Sequence, residues 1–435
     1  MSTLALLGGT PVRDRRFPAH NPIGREERDA AIAVIEDGEL SRFLGSWHPD
    51  FFGGARVQAF EAEWAAFAGA GFAVSVNSNT SGLLAAVAAA GAGPGDEVIL
   101  PPYTMSATAA AVVANNAVPV FADINATSYC LDAAAIEARL TPRTRAIIVV
   151  HLFGHPADMD PILELAAQHG LTVIEDAAQA PGALYKGRPV GTLGHMTVFS
   201  LNYHKHIHTG EGGVVTTNDE RLATRLRLVR NHGEAVVEEM GVTEIAHTFG
   251  FNLRLTELQA AIGSAQLRKL PALLAARVRN ATFLSERIGA LPGIHAPVVA
   301  EGCTHAYYVQ PFWFDEEVVG VPRDRFVEAV SAELPTAENQ DWPLVYAGYM
   351  KPLYLQPMYQ RRIAYGASGC PFACPLYRGE VSYAPGICPV TERVERHIIG
   401  TEFLRPPADL DDMRDVAEAF AKVYEHRHEL VSSAV

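Results

Sequence analysis

The feature that most constrains the fold is a regular alternation of short Val- and Ile-rich runs with Ala- and Leu-rich stretches between Glu26 and Thr217. Short apolar runs that end in Pro, Gly, Asp or His are typical of buried strands, and the stretches between them have the composition of helices. The pattern predicts strands at residues 97–100, 118–123, 146–152, 171–175, 196–201 and 213–216. Because strands that alternate with helices pair in parallel, we expect an α/β domain with a mainly parallel sheet.

The pattern changes near Leu270. Helices are predicted at 81–90, where glycines and a proline end the helix, and at 255–267 and 272–288. Beyond them the elements are shorter and mixed, and residues 334–390 are rich in Pro and aromatic residues with little periodicity. Long irregular segments of this kind usually line a site or an interface. We therefore predict an N-terminal arm and a large domain over residues 1–270, and a smaller C-terminal α+β domain over residues 271–435 that contributes to the substrate site.

Charge and composition exclude several functions. The 435 residues carry 35 Lys and Arg against 49 Asp and Glu, and this net charge of −14 disfavours nucleic acid and anionic lipid as partners. The longest apolar stretch, around residues 107–114, is far shorter than the roughly 20 residues that span a bilayer. The arginines of the N-terminus follow its apolar run, which is the wrong order for a secretory signal. The five cysteines are an odd number, which favours reduced thiols over a disulfide framework. Taken together, these observations predict a cytoplasmic protein that binds neither nucleic acid nor a membrane.

Three polar features lie where predicted strands end or helices begin. Asp176 follows the apolar run 171–175, Lys205 is the fifth residue after Ser200, and residues 77–82 form a Ser/Thr-rich turn that opens a helix. Taken singly, a strand-end Asp is usually a helix cap and a loop Lys is usually exposed. Together they offer a carboxylate at the ligand-binding edge of the sheet, an amine nucleophile and a helix start that binds phosphate. These are the requirements of a pyridoxal phosphate site.

At these residues the sequence resembles the sugar aminotransferases of the DegT/StrS family, which are fold-type I pyridoxal phosphate enzymes. The resemblance covers residues 20–270 closely and the remainder more loosely. It rests on motifs in the family's order: 93–99 (GPGDEVI), 101–104 (PPYT), 150–159 (VHLFGHPADM), 175–179 (EDAAQ), 230–233 (RNHG) and 250–260 (GFNLRLTELQA). The resemblance implies the fold-type I architecture, with a sheet of the seven-stranded type in the large domain and pyridoxal 5'-phosphate as the cofactor.

The resemblance also implies roles for individual residues. Lys205 matches the lysine that binds the cofactor as a Schiff base and carries out catalysis. Asp176 matches the carboxylate that pairs with the cofactor's ring nitrogen, and Gln179 matches the residue near its 3-hydroxyl group. These three residues are the predicted centre of the site.

The phosphate group has its own predicted partners. Ser200 and the Thr80-Ser81 turn match the residues that hold it in the family. Asn252 matches an Asn that reaches the phosphate of the neighbouring subunit. The resemblance therefore implies a homodimer with a composite active site.

One position departs from the family pattern. After residues 102–104 the family usually has an aromatic residue that stacks on the cofactor ring, and here the residue is Met105. The polarizable sulfur of a methionine can cover a ring face. Met105 is assigned to this place, with Tyr103 as the alternative source of stacking.

Clusters of His and Cys suggest further chemistry. In some family members a His replaces the lysine and the enzyme is a sugar dehydratase, but Lys205 stands at the expected position, which favours a transaminase. His204, His206 and His208 lack metal-ligand spacing, and we expect site walls or subunit contacts. The cysteines 370, 374 and 388 lack a fourth thiolate, so free thiols are expected and no metal site is predicted.

The expected function is transfer of an amino group from glutamate or glutamine to a keto-sugar or keto-cyclitol that is free, phosphorylated or nucleotide-linked. Lys351, Arg361 and Arg362 are candidates for phosphate contacts, although solvated surface charge is their more ordinary interpretation. Two alternatives stay open. One is a pyridoxamine-dependent sugar dehydratase, and the other is a catalytically silent regulator that kept the fold.

Overall fold

The large sheet is built from the strands that the alternation predicted. The computed structural model describes residues 3–366 and 369–432. Its first nine strands are β1 Phe72–Val76, β2 Glu97–Leu100, β3 Val118–Phe121, β4 Thr144–Val150, β5 Thr172–Asp176, β6 Leu184–Tyr185, β7 Arg188–Pro189, β8 Met196–Ser200 and β9 Gly213–Thr217. Seven of them form one sheet in the order β1-β9-β8-β5-β4-β2-β3, and β6 and β7 form a separate hairpin. The predicted fold class and the six predicted strands are confirmed, with strand ends that differ by at most two residues.

The sheet is parallel except at one edge. β9 pairs antiparallel with both β8 and β1, and the other pairs are parallel. The apolar pattern did not predict β1, because Ser75 interrupts its apolar run. Ser75 is nevertheless fully buried. Its polar groups tolerate this burial because its backbone N–H and its hydroxyl both donate hydrogen bonds to Glu61 Oε1 at 2.8 Å.

Helices cover both faces of this sheet. The helices of the first two thirds of the chain are α1 Arg25–Asp37, α2 Ala55–Ala68, α3 Asn79–Ala89, α4 Ala107–Ala114, α5 Ala133–Glu137, α6 Met159–His169, α7 Glu220–Arg230 and α8 Glu257–Ile288. Successive residues of β4 alternate between two cores, with Ile147 and Val149 in one and Ile148 in the other. Burial on both faces explains why the strands read as continuous apolar runs.

Within residues 3–366 and 369–432, none of the helices combines the length and apolar character that a bilayer crossing requires.

The helix α8 runs without a break across the predicted domain boundary. It spans 32 residues and contains Pro271, so the two helices predicted at 255–267 and 272–288 are one. A proline inside a helix costs about 3 kcal/mol. That cost is offset by the packing of α8 against α1 and α2, and by the complete burial of Leu270 and Arg277 on either side of Pro271.

A second, smaller sheet lies in the C-terminal third. Its strands are β10 Ile294–His295, β11 Gln310–Phe314, β12 Val345–Ala347 and β13 Ile398–Thr401, all antiparallel. The helices of this part are α9 Glu316–Val319, α10 Arg323–Glu333, α11 Pro357–Arg361, α12 Pro389–His397, α13 Leu410–Glu425 and α14 His428–Ser432. Leu4 and Phe17 of the N-terminal arm belong to the core of this sheet, and Arg13 forms ion pairs of 2.8 Å with Asp412 and Asp415. The N-terminal arm therefore packs against the C-terminal unit.

The aromatic segment predicted to lie at a site or an interface mainly covers the sheet edge. Tyr354, Tyr359 and Tyr383 pack around Phe121 of β3 with ring centroids 5.3–6.0 Å away. The Tyr383 hydroxyl donates to the Pro119 carbonyl at 2.7 Å. Covering an edge strand in this way protects it from pairing with another chain.

Candidate active site

A cavity of ≈ 400 Å³ opens at the carboxyl ends of three neighbouring strands. Val150, Asp176 and Ser200, the last residues of β4, β5 and β8, all line it. This is the edge at which open α/β sheets bind ligands. Another cavity of similar size, ≈ 420 Å³ beside α8, is lined by neither lysine nor carboxylate. Chemistry rather than volume therefore singles out the cavity at the strand ends.

Six of the eight predicted site residues line this cavity. They are Thr80, Met105, Asp176, Gln179, Ser200 and Lys205. Ser81 and Asn252 do not line it. The two exceptions have different structural causes.

Asp176 is a buried carboxylate with neutral partners. Its Oδ1 accepts hydrogen bonds from the Ala178 backbone N–H (3.2 Å) and Asn79 Nδ2 (3.3 Å), and its Oδ2 accepts one from the Thr108 hydroxyl (3.0 Å). Burial raises the pKa of this carboxyl group, and the hydrogen bonds and the charge of Lys205 oppose that rise. A buried carboxylate of this kind is stabilised by a cationic ligand group placed against it.

Lys205 lies on a short loop after β8 and faces an aromatic ring. Its Nζ is 4.1 Å from the centroid of the Tyr308 ring, the distance of a cation–π contact. The loop is held by backbone hydrogen bonds from Lys205 N to the Asn202 carbonyl (2.9 Å) and from Thr209 N to the Leu201 carbonyl (3.0 Å). The amine and the Asp176 carboxylate thus meet in one cavity.

The start of α3 supplies hydroxyl and backbone N–H groups. Ser78 is the N-cap, and its Oγ accepts a hydrogen bond from the Ser81 N–H at 3.1 Å. The Ser81 hydroxyl donates to Asn77 Oδ1 at 2.6 Å, which keeps it within the turn. Thr80 and Ser200 line the cavity beside this helix start. The hydrogen bonds of Ser81 therefore lie within the turn, whereas Thr80 and Ser200 are part of the cavity wall.

Gln179 is fixed at both ends of its carboxamide group. Its Oε1 accepts a hydrogen bond from the Phe153 backbone N–H at 2.6 Å, and its Nε2 donates to the Tyr349 hydroxyl at 2.9 Å. Burial raises the pKa of Tyr349 above its ordinary value, so that hydroxyl keeps its proton at neutral pH. The carboxamide is thereby held in one orientation at the cavity wall.

Met105 and Tyr103, the two residues considered for stacking on a cofactor ring, lie in different surroundings. Met105 lines the cavity and is 54% exposed. Tyr103 is fully buried in the core, where its ring lies edge-on to those of Phe153 and Tyr349. Tyr103 is not among the residues that line the cavity, so the structure favours Met105 over Tyr103 for this place.

The three histidines around Lys205 have different surroundings. His204 lines the cavity as predicted, and burial, reinforced by the charge of Arg405, lowers its pKa. His206 is fully buried and its Nε2 donates to the Ala306 carbonyl at 2.8 Å, so it belongs to the scaffold behind the lysine. His208 Nδ1 accepts from the Gly210 N–H within the loop. Among the described residues, no three His, Cys, Asp or Glu side chains form a group that could hold a metal ion, and all five cysteines are free thiols.

Asn252 lies on the surface, away from the cavity of its own chain. It is exposed and forms an antiparallel bridge with the buried Asn231. Phe249 and Phe251 beside it are 61% and 38% exposed. Asn252 therefore contributes nothing to the cavity of its own chain.

Sequence reasoning missed several residues of the site. Tyr308 and Glu211 line the cavity and were not singled out, whereas Asn79 and Tyr349 were included only as members of the turn 77–82 and of a long aromatic segment. Tyr308 lies just before β11, and nothing in its sequence neighbourhood signals contact with a lysine about a hundred residues earlier. The tertiary fold alone places these residues in the site.

Comparisons with known proteins agree with this geometry. The family model described as the DegT/DnrJ/EryC1/StrS aminotransferase family matches residues 43–418. An L-glutamine:2-deoxy-scyllo-inosose aminotransferase from Streptoalloteichus tenebrarius is 35% identical and covers 98% of this chain and 99% of its own length. The solved structure of DesI in the presence of its TDP-sugar product has a TM-score of 0.80 at 29% identity, covering 99% of this chain and 98% of that one. NtdA from Bacillus subtilis, solved with bound cofactor PMP, has a TM-score of 0.74 at 25% identity, covering 95% and 86%. The chain therefore belongs to the DegT/DnrJ/EryC1/StrS aminotransferase family and is an aminotransferase.

Proposed function

We propose that this aminotransferase uses pyridoxal 5'-phosphate to move an amino group from glutamine or glutamate to a keto-cyclitol or keto-sugar. The observation that carries the proposal is the convergence of Lys205, Asp176 and the start of α3 on one cavity. An amine, a buried carboxylate and a phosphate-binding helix start are the groups that this cofactor requires.

The donor set fits the cofactor. Asp176 is buried and its three hydrogen-bond partners are neutral, so a protonated pyridine nitrogen would supply the missing positive charge. The α3 start carries a partial positive charge, which favours a phosphate group beside Thr80 and Ser200. Gln179 presents a fixed carboxamide, and Met105 offers its thioether to the face of a ring.

When bound, pyridoxal phosphate supplies an aldehyde that exchanges amino groups and a ring that accepts electrons. With the cofactor in place, Lys205 as a free amine would act as the base that moves the proton during the exchange. Asp176 would hold the ring nitrogen of the cofactor in its protonated form, because a buried carboxylate stabilises a cation placed against it. Tyr308 faces the lysine with its ring and limits the directions that Nζ can take.

The proposed substrates rest on the relatives and on the cavity's charges. The inosose aminotransferase from Streptoalloteichus tenebrarius, which aligns with almost the whole chain, is named for L-glutamine and a cyclitol ketone. Arg361 and Arg362, candidates for phosphate contacts, are exposed on the segment over β3 and do not line the cavity. Lys351 is also exposed and outside the lining. None of these three candidates lines the chain's own cavity, so the proposal of a keto-cyclitol rests on that relative.

We also propose that two copies of the chain pair. The exposed Asn252, with its exposed aromatic neighbours, supports this proposal because the residue matches one that contacts the phosphate of a second subunit. Asn252→Ala should then weaken cofactor binding without changing any group of the chain's own cavity.

The test is an absorbance spectrum of the purified protein loaded with pyridoxal phosphate, before and after addition of glutamine. A shift of the absorbance from that of the pyridoxal form to that of the pyridoxamine form of the cofactor would establish the first half-reaction. Glutamine labelled with ¹⁵N in its α-amino group is then supplied with a panel of keto-cyclitols and keto-sugars. Label in the product supports amino transfer, whereas a product without nitrogen would indicate a dehydratase.

Two lysine variants sharpen the test. Lys205→Ala should abolish the spectral shift and the label transfer. Lys186→Ala is the matched control, because Lys186 is half-exposed and pairs with Asp160 outside the cavity. Full turnover in Lys205→Ala, or no spectral change with any donor in the unmodified protein, would refute the proposal.

A further inference from the structure

Two bulky residues beside the cavity adopt a left-handed backbone conformation. Phe153 has φ +59° and ψ −3°, and Tyr307 has φ +48°. Such values are rare for aromatic residues and persist only where the surrounding structure enforces them. Gly154, between the two in space, has φ +103°, and a Cβ there would lie 2.8 Å from Tyr307 N and 2.9 Å from the Gln179 carbonyl oxygen. The turn is therefore wedged between the segment after β5 and the segment before β11.

The backbone of Phe153 connects these two segments. Its N–H donates to Gln179 Oε1 at 2.6 Å, and its carbonyl accepts from the Tyr308 N–H at 2.7 Å. The Gly154 carbonyl accepts from Ala306 N at 2.9 Å, which adds a second tie on the same side. One residue thus holds the Gln179 carboxamide with one polar group and the Tyr308 backbone with the other.

The side chain of Phe153 keeps the turn in this conformation. It is 1% exposed, and its ring lies 5.0 Å from that of Tyr349, 5.8 Å from that of Tyr129 and 6.4 Å from that of Tyr103, all near edge-on. Edge-to-face contacts of this kind stabilise aromatic clusters beyond their buried area. The ring therefore offsets the cost of the left-handed backbone.

We propose that Phe153 is a positioning residue that sets the distance between the Gln179 carboxamide and the Tyr308 ring, and through that ring the direction of Lys205 Nζ. The proposal rests on the proposed function, because that function gives Gln179 and Lys205 their roles. Tyr308 N is tied to Phe153, and the Tyr308 ring lies 4.1 Å from Nζ, so a change of the turn moves the surface against which the lysine rests.

The test compares Phe153→Ala with Phe153→Gly. Both remove the ring, but only glycine adopts the left-handed conformation without steric cost. If the ring serves only as core packing, glycine is the worse replacement, because it adds backbone entropy to the unfolded state. If the left-handed turn positions the site, glycine is the better replacement. Phe153→Leu, which keeps a large buried side chain to hold the turn, is the variant that should fold in any case.

The first readout needs no cofactor. Hydrogen–deuterium exchange of the peptide that contains Tyr308 should be about tenfold faster in Phe153→Ala than in Phe153→Gly, because the alanine turn escapes to negative φ and releases the Tyr308 N–H. Phe153→Leu should exchange within about twofold of the unmodified protein, because its side chain still holds the turn. Equal exchange in the Ala and Gly variants, faster exchange in the Gly variant, or Leu exchanging as fast as Ala would overturn the proposal.

The second readout uses the loaded protein. The induced circular dichroism of the bound cofactor reports its orientation, and it should fall in Phe153→Ala and recover in Phe153→Gly. Likewise, kcat should fall in Phe153→Ala and recover in Phe153→Gly. The KM for glutamine should stay within about threefold of its value in the unmodified protein, because the substitutions should change the binding energy of glutamine only slightly. Asn116→Ala is the control, because Asn116 has φ +59° in an exposed turn remote from the cavity, and it should leave both signals unchanged. Failure of the unmodified protein to bind cofactor would refute the proposed function while the exchange comparison still decides the role of Phe153.

Discussion

Replacing Asp176 with Asn is expected to stabilise the cofactor-free protein and, at the same time, to weaken cofactor binding. Asn has the same shape, and its Oδ1 can keep the hydrogen bonds from Asn79 and Ala178. Its Nδ2 would then face the Thr108 hydroxyl, which can turn to donate to Thr104 Oγ1, 3.2 Å away. No buried polar group loses its partner, so the substitution mainly removes a buried charge.

The two effects have opposite signs and different sizes. Without the cofactor, removal of the desolvation penalty of the carboxylate should raise the free energy of unfolding by about 1–2 kcal/mol at pH 8. With the cofactor, the lost charge-assisted hydrogen bond to the ring nitrogen should cost about 1.5–3 kcal/mol, or roughly 10- to 150-fold in affinity. If Asp176 contributed only to the packing of the strand end, its replacement would not raise the free energy of unfolding and weaken cofactor binding at the same time.

The pH dependence follows from the raised pKa of Asp176. Because the folded protein binds this proton more tightly than the unfolded chain, the stability of the unmodified protein falls as the pH rises from the ordinary value of 3.8 through the raised pKa. The Asn variant lacks this loss. Its advantage should therefore be absent at acid pH, where Asp176 is protonated in both states, and reach its full size above the raised pKa.

Urea unfolding of the cofactor-free proteins at several pH values measures the first effect, and titration with pyridoxal phosphate measures the second. Asp123→Asn provides the same chemical change outside the cavity. Asp123 accepts hydrogen bonds from the backbone N–H groups of Val390 and Thr391, so its replacement should destabilise the protein and leave cofactor affinity unchanged. The reasoning fails if Asp176→Asn lowers the stability at pH 8 by about 1 kcal/mol or more, or if its cofactor affinity stays within about twofold of the original.

Three further substitutions test other parts of the structure. Gly154→Ala should destabilise the protein by more than about 2 kcal/mol in urea unfolding, because of its φ and the contacts of the new Cβ; Gly91→Ala, with φ +76° and open space around it, should cost clearly less. Glu61→Gln should cost about 3–5 kcal/mol in the same assay, since it leaves the fully buried Arg230 guanidinium without its carboxylate; a loss below about 1 kcal/mol would contradict this expectation. Met105→Tyr should slow cofactor dissociation by about two- to tenfold through better ring stacking, and faster dissociation would argue against a place for Met105 over the ring.

The central chemistry of the site was accessible from the sequence because it depends on local patterns. Asp176 and Ser200 come directly at the ends of apolar runs, and the parallel order of those runs brings their carboxyl ends to one edge. The spacing from Ser200 to Lys205 lies within one loop. The register of a strand and the length of a loop are local quantities, so the amino-acid sequence is sufficient to place these residues together.

Other parts of the prediction needed information that no local pattern holds. Tyr103 and Met105 are two residues apart in a motif that suits either for ring stacking, and only the packing of Tyr103 against Phe153 and Tyr349 decides between them. Pro271 ends helices in most contexts, yet α8 continues through it because of contacts with α1 and α2.

The sequence by itself therefore determined the α/β architecture, the family and the residues that meet at the strand ends. The tertiary structure decided which aromatic residues surround them. Tyr308 approaches Lys205, and Tyr349 binds Gln179, from segments more than a hundred residues away in the chain. Such contacts arise from the closure of long loops and the packing of two cores, which are global properties of the chain. Apolar periodicity and motif spacing record only near neighbours, and for that reason they could not reveal the turn at Phe153 that joins these segments.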